Sequence, residues 1–159
     1  IAAWDIAIGP AGEELPPGRG TATEGKAIYE AQCVVCHGPS GTEGPMDRLV
    51  GGQGSLASDS PVKTVGSYWP YATTVFDFIW RAMPQTAPGS LTADQAYAVT
   101  AYVLFLNGIV GERDVIDAES LPRVRMPNRD GFVPDARPDV PYWLLRAGEP
   151  AASGASGTR

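Results

Sequence analysis

Apolar residues recur at helical spacing in three places along the chain, and the stretches between have little periodicity. The clearest run is Ala96, Val99, Val103 and Leu106, where Thr92 and Gln95 form a capping box and Gly108 stands where a C-terminal cap belongs. A second stripe, Val75, Ile79 and Ala82, predicts a helix from about Thr74 to Ala82. Thr74 and Asp77 resemble its cap pair, and Pro84 forbids continuation. The earliest helix is predicted to begin at Thr21, with Glu24 completing a capping box, and to carry Gly25, Tyr29 and Cys33 on one face. Gly25 on that face allows another helix to cross closely.

The remaining segments are irregular. Residues 1–20 hold Pro10, Pro16, Pro17 and several glycines around a lone Trp4, and read as an extended arm. Residues 38–70 are rich in Gly, Ser and Pro; a loop this long is unusual unless it is functional. Beyond the helical unit at 21–112, prolines at 122, 127, 134, 138, 141 and 150 break any long element. Leu121, Val124, Met126, Phe132, Val133, Tyr142, Trp143, Leu144 and Leu145 are nevertheless too apolar for a free tail. Residues 113–150 are therefore expected to form an extended strap, packed on its own domain or serving as a partner-binding arm. The Gly/Ser-rich end at 151–159 is expected to be flexible.

Composition narrows the class. A length of 159 residues with 43% hydrophobic content suits one domain of ordinary size, particularly one built around a large apolar cofactor. The longest apolar stretch, Ala96 to Val110, is interrupted by Thr100 and Asn107 and reads as a buried helix, so no membrane span is expected. A net charge of -6 with only two lysines, Lys26 and Lys63, argues against nucleic acid. Charge is uneven: residues 1–111 carry five basic and ten acidic side chains, and 112–159 carry seven arginines against eight acids. Surfaces of different sign suit steering or docking, although a plain solvated surface gives the same counts. The start at Ile1, without an initiator Met, fits a mature chain whose secretion signal has been removed.

The chemistry lies in Cys33-Val34-Val35-Cys36-His37, two thiols flanking two residues and followed directly by histidine. This is the pattern for covalent haem attachment: each cysteine adds across a porphyrin vinyl group, and the imidazole reaches the iron as proximal ligand. These are the only two Cys and the only His, so one haem c is the ceiling. A structural zinc site wants four ligands, and this pentapeptide supplies three. A redox dithiol of the thioredoxin kind would need a strand leading into the motif, where the pattern here is helical. Haem c is attached outside the cytoplasm in bacteria, which predicts a periplasmic protein.

The sixth ligand decides whether the iron shuttles electrons or binds substrates. Methionine thioether suits electron transfer, and the candidates are Met46, Met83 and Met126. Met83 is expected to serve, since it ends the second helix just before Pro84 and an irregular stretch from Gln85 to Ser90 that can curve over the distal face. Met46 lies nine residues past His37 on the proximal side, and Met126 lies in the strap. An open site is the remaining alternative. Around the iron, Gly44-Pro45 is expected to place a carbonyl beside His37, Tyr68 and Trp69 to wall the haem, and Arg81 to pair with a propionate. Tyr71 is a further candidate wall.

Together these residues resemble a class I cytochrome c over roughly residues 20–110: a mainly α fold around one covalent haem, here with extended N- and C-terminal arms. More specifically, residues 65–71 (VGSYWPY), 81–84 (RAMP), 87–91 (APGSL), 96–102 (AYAVTAY), 105–108 (FLNG) and 126–131 (MPNRDG) resemble the cytochrome subunit of Sox-type sulfane dehydrogenases. That resemblance implies a periplasmic partner, a molybdenum-cofactor subunit that oxidises a sulfane or sulfite sulfur. It also implies electrons leaving singly through the haem to a soluble c-type cytochrome, and no catalytic acid, base or nucleophile in this chain. Family members often carry two haem domains and this chain carries one; its end from Pro150 reads as the start of a linker.

Overall fold

The computed structural model describes residues 7–133 of the chain. Trp4, the apolar run from Tyr142 to Leu145 and the tail at 151–159 lie outside the described residues. The expected mainly α architecture is observed. Its elements are β1 (Arg19–Gly20), α1 (Ala22–Gln32), α2 (Val34–His37), α3 (Ala72–Ala82), α4 (Ala93–Leu106), β2 (Ile116–Asp117) and a 3₁₀ turn at Leu121–Arg123.

Two capping boxes set where the outer helices begin. Thr21 accepts from the Glu24 amide while the Glu24 carboxylate accepts from the Thr21 amide at 2.8 Å, and Thr92 and Gln95 repeat the exchange at α4. α4 ends as Gly108 predicts: with φ at 69°, its amide reaches Phe105 O at 2.8 Å and the Ile109 amide reaches Leu104 O at 3.0 Å. Between these caps Ala96 to Leu104 are all buried, so α4 is the central element. α1 crosses it at Gly25, where a Cβ would stand 1.9 Å from Ala98 O. Farther along, the Tyr29 and Tyr102 rings meet at 5.2 Å. α3 packs on the same helix through Phe76, 4.3 Å from the Tyr97 ring.

α3 begins earlier than its sequence pattern indicates. Tyr71 is the N-cap, without a side-chain bond, and Thr74 and Asp77 are not a cap pair. Thr74 Oγ1 donates to Tyr71 O at 2.9 Å, while Asp77 is turned inward. There it accepts from the Ile8 amide at 3.2 Å and from Arg81 Nε at 2.7 Å. A buried carboxylate gains more from a guanidinium and an otherwise unpaired amide than from an exposed cap position.

The two arms are more structured than extended leaders. Ile8 is buried, Tyr97 Oη donates to Pro16 O at 2.9 Å, and the Arg19 amide donates to Asp94 Oδ1 at 2.8 Å. β1 then pairs antiparallel with β2, Arg19 opposite Asp117 and Gly20 opposite Ile116. Residues 113–133 thus return to the domain. Ile116, Leu121 and Met126 are buried in the same core as α3 and α4, because three large apolar side chains within eleven positions are stabilised by burial here rather than by solvent.

Candidate haem centre

α1 stops at Gln32 with Cys33 as its C-cap, and the chain turns at once into the single-turn helix α2, which ends at His37. The Cys36 and His37 amides both bond Cys33 O, at 3.1 and 2.9 Å, so the two thiols and the imidazole are gathered on one tight turn. Tyr29 locks this turn from α1, its hydroxyl donating to Gly38 O at 2.9 Å. Burial pushes the Tyr29 phenol up to about 12, with smaller contributions from Cys33, Tyr102 and Glu43. The exposed Glu43 carboxylate closes the following loop. It accepts from the Ser40 hydroxyl, from the Ser40 amide at 3.1 Å and from the Thr42 amide at 3.2 Å, and these bonds, that to the Ser40 hydroxyl first, lower it to about 2.

His37 Nδ1 is held by a backbone oxygen, that of Asp47, at 2.9 Å. The expectation that Gly44-Pro45 supplies this acceptor is corrected by two residues. Gly44 presses directly on the motif: a Cβ there would stand 2.0 Å from Cys36 O, and the Met46 amide donates to that oxygen at 3.0 Å. Pro45 therefore serves the turn, and the chain curls over His37 only at Asp47. With Nδ1 engaged, Nε2 is the ring nitrogen left to bind a metal.

The other expected residues fall into two groups. Met83 is the C-cap of α3, half-buried, its amide bonded to Ile79 O at 3.0 Å, and it precedes Pro84 through a cis peptide bond. Half-buried Trp69 packs edge-on against Phe78 at 5.8 Å. Tyr68 faces outward, with Lys63 over its ring at 5.1 Å and Phe132 beside it at 5.3 Å, and Arg129 covers Tyr71 at 4.5 Å. Arg81, expected at a propionate, is paired with Asp77 one helical turn back. Met126 is a core residue, 1% exposed, and Met46 is 48% exposed on the loop beyond His37. Sequence reasoning missed Asp47, whose contribution is a carbonyl and leaves no side-chain signature, and Asn107, which ties the loop after Asp47 to the end of α4.

This donor set fits haem c and not the alternatives. Among the described residues no group of three His, Cys, Asp or Glu side chains is placed to hold a metal ion, as a zinc site requires. Burial, with help from Cys36, pushes the Cys33 thiol up to about 11, and a helix, α1, leads into the motif where a thioredoxin-type dithiol has a strand. Two unbridged, half-buried thiols beside an oriented imidazole are what covalent haem attachment needs. The family model described as cytochrome c oxidase, cbb3-type, subunit III matches residues 20–103, more than half of the chain.

The chain belongs to the c-type cytochromes. Over its whole length this cytochrome is also similar to a chain in the crystal structure of the sulfane dehydrogenase SoxCD from Paracoccus pantotrophus. The two are 41% identical with a TM-score of 0.81, and the match covers 100% of this chain and 80% of that one. The resemblance to the cytochrome subunit of Sox-type sulfane dehydrogenases is borne out by that match. No curated protein matches the cytochrome. Among its described residues no helix is long and apolar enough to cross a membrane.

Proposed function

We propose that this cytochrome carries one haem, bound through Cys33 and Cys36 with His37 and Met83 as axial ligands, and is the electron-transfer subunit of a sulfane or sulfite dehydrogenase. The turn that gathers Cys33, Cys36 and His37, with Nδ1 fixed 2.9 Å from Asp47 O, is the observation that carries this reading. When bound, the haem supplies reversible one-electron chemistry at iron. The protein's own residues do the rest. Cys33 and Cys36 anchor, His37 presents Nε2, Met83 offers a thioether from the end of α3, and Trp69, packed edge-on against Phe78, walls the haem. Similarity to SoxCD over the whole chain supports a molybdenum-cofactor subunit as electron donor, a soluble c-type cytochrome as acceptor and a periplasmic site of action.

Within the strap at 113–150, residues 134–150 are the candidate partner arm, since Ile116, Leu121 and Met126 already commit its first part to the domain. That commitment favours a second reading, a free periplasmic shuttle whose strap serves only its own fold. Stopped-flow mixing of the ferric cytochrome with its molybdenum subunit and a sulfane-sulfur substrate separates the two. The proposal expects haem reduction in step with turnover, and slower reduction after truncation at Val133. A molybdenum subunit that turns over with an artificial acceptor yet leaves the haem oxidised points to the shuttle.

A further inference from the structure

Asn107 lies at the end of α4, far in sequence from the haem motif, yet it governs the segment that orients His37. Its Nδ2 donates to Leu49 O at 3.1 Å and to Val103 O at 2.9 Å. Its Oδ1 accepts from the Gly51 amide at 3.1 Å and, more weakly, from Gln53 Nε2 at 3.5 Å. One planar group thus bridges two backbone positions of the loop that runs on from Asp47. The same loop is tied again where the Leu49 amide donates to Gly41 O at 2.8 Å and Thr64 Oγ1 donates to Gly51 O at 2.5 Å. The fit is close on its far side: a Cβ at Gly66 would stand 2.0 Å from Asn107 Oδ1.

We infer that Asn107 is a positioning residue for the His37 ligand: by clamping Leu49 O and Gly51 N against the end of α4, it fixes the Asp47 carbonyl that orients the imidazole. This rests on His37 as proximal ligand. No other side chain of this size does the same work, because the loop needs a donor and an acceptor from one rigid group. Aspartate offers no donor, leucine offers neither, and glutamine's extra methylene would push toward Gly66. A firm Nδ1–H bond keeps the ring basic and favours ferric iron, so a loosened Asp47 carbonyl raises the reduction potential.

The test is made on the haem-loaded protein, reading the reduction potential and the solvent exchange of the His37 Nδ1 proton in the ferrous state. Asn107→Ala is expected to speed that exchange by about tenfold or more and to raise the potential. Asn107→Asp, which keeps the acceptor but turns both donor bonds into oxygen–oxygen contacts with Leu49 O and Val103 O, is expected to speed exchange at least as much, and it decides the matter if the alanine variant does not fold. Leu121→Ala, a core truncation in the 3₁₀ turn, is expected to lower the melting temperature and leave the His37 proton protected. Unchanged exchange and potential in the Asn107 variants, or an equal change in Leu121→Ala, overturns the positioning role. Loss of the His37 reading itself shows separately, as a wild-type spectrum that His37→Ala does not alter.

Discussion

Gly25 of α1 and Ala98 of α4 touch backbone to backbone: a Cβ on Gly25 would lie 1.9 Å from Ala98 O and 2.9 Å from Tyr102 Cβ. No rotamer change relieves a clash with a carbonyl, so one helix must move. Gly25→Ala is therefore expected to destabilise the protein by about 1–3 kcal/mol or more, despite alanine's better helix propensity. Denaturant unfolding of the two proteins measures this. A gain in stability would show that the helices do not cross as described.

Two phenols impose an alkaline limit. Burial is the main cause that raises both Tyr29 and Tyr97 to about 12 from the ordinary 10.0. The fold favours the neutral phenol, so this contribution is fully present below pH 10 and is lost as pH rises through about 12. Tyr97→Phe removes the bond to Pro16 O and with it part of that pH dependence. Alkaline titration followed by circular dichroism is expected to show a shallower loss of stability above pH 10 in the variant, together with a cost of about 0.5–1.5 kcal/mol at neutral pH.

Met126 separates packing from ligation. It is 1% exposed in the cluster that also holds Leu121 and Ile116. Met126→Ala is expected to cost about 2–5 kcal/mol through the cavity it leaves, and to leave the haem spectrum unchanged. Thermal melts and optical spectra of the same samples test both halves. A stable variant with altered axial ligation would make Met126 the ligand.

Much of this was legible in the sequence because the signals are local. The capping boxes at Thr21 and Thr92, the Gly108 stop and the Gly25 crossing each involve residues within a few positions of one another or a small residue at a fixed spacing. The start of α3 was not, because Asp77 looks like a cap partner until the Ile8 amide, 69 residues away, and Arg81 claim it. The Asp47 acceptor was missed for a related reason: any residue offers a carbonyl, and the tight packing of Gly44 on Cys36 decides which one arrives. The strap's apolar residues announced burial, which Leu121 and Met126 show and Phe132 and Val133, both exposed, do not. That Ile116, Leu121 and Met126 return to this domain depends on strand pairing and core shape, which no periodicity encodes.

The account's central claim is a haem iron held between His37 and Met83, and the optical spectrum of the ferric protein before and after Met83→Ala tests it most directly. The wild type is predicted to show the weak far-red sulfur-to-iron charge-transfer band, and the variant to lose it while keeping the covalent haem. A wild-type protein that lacks the band and binds carbon monoxide readily when reduced would contradict the claim and make this an open-site haem protein.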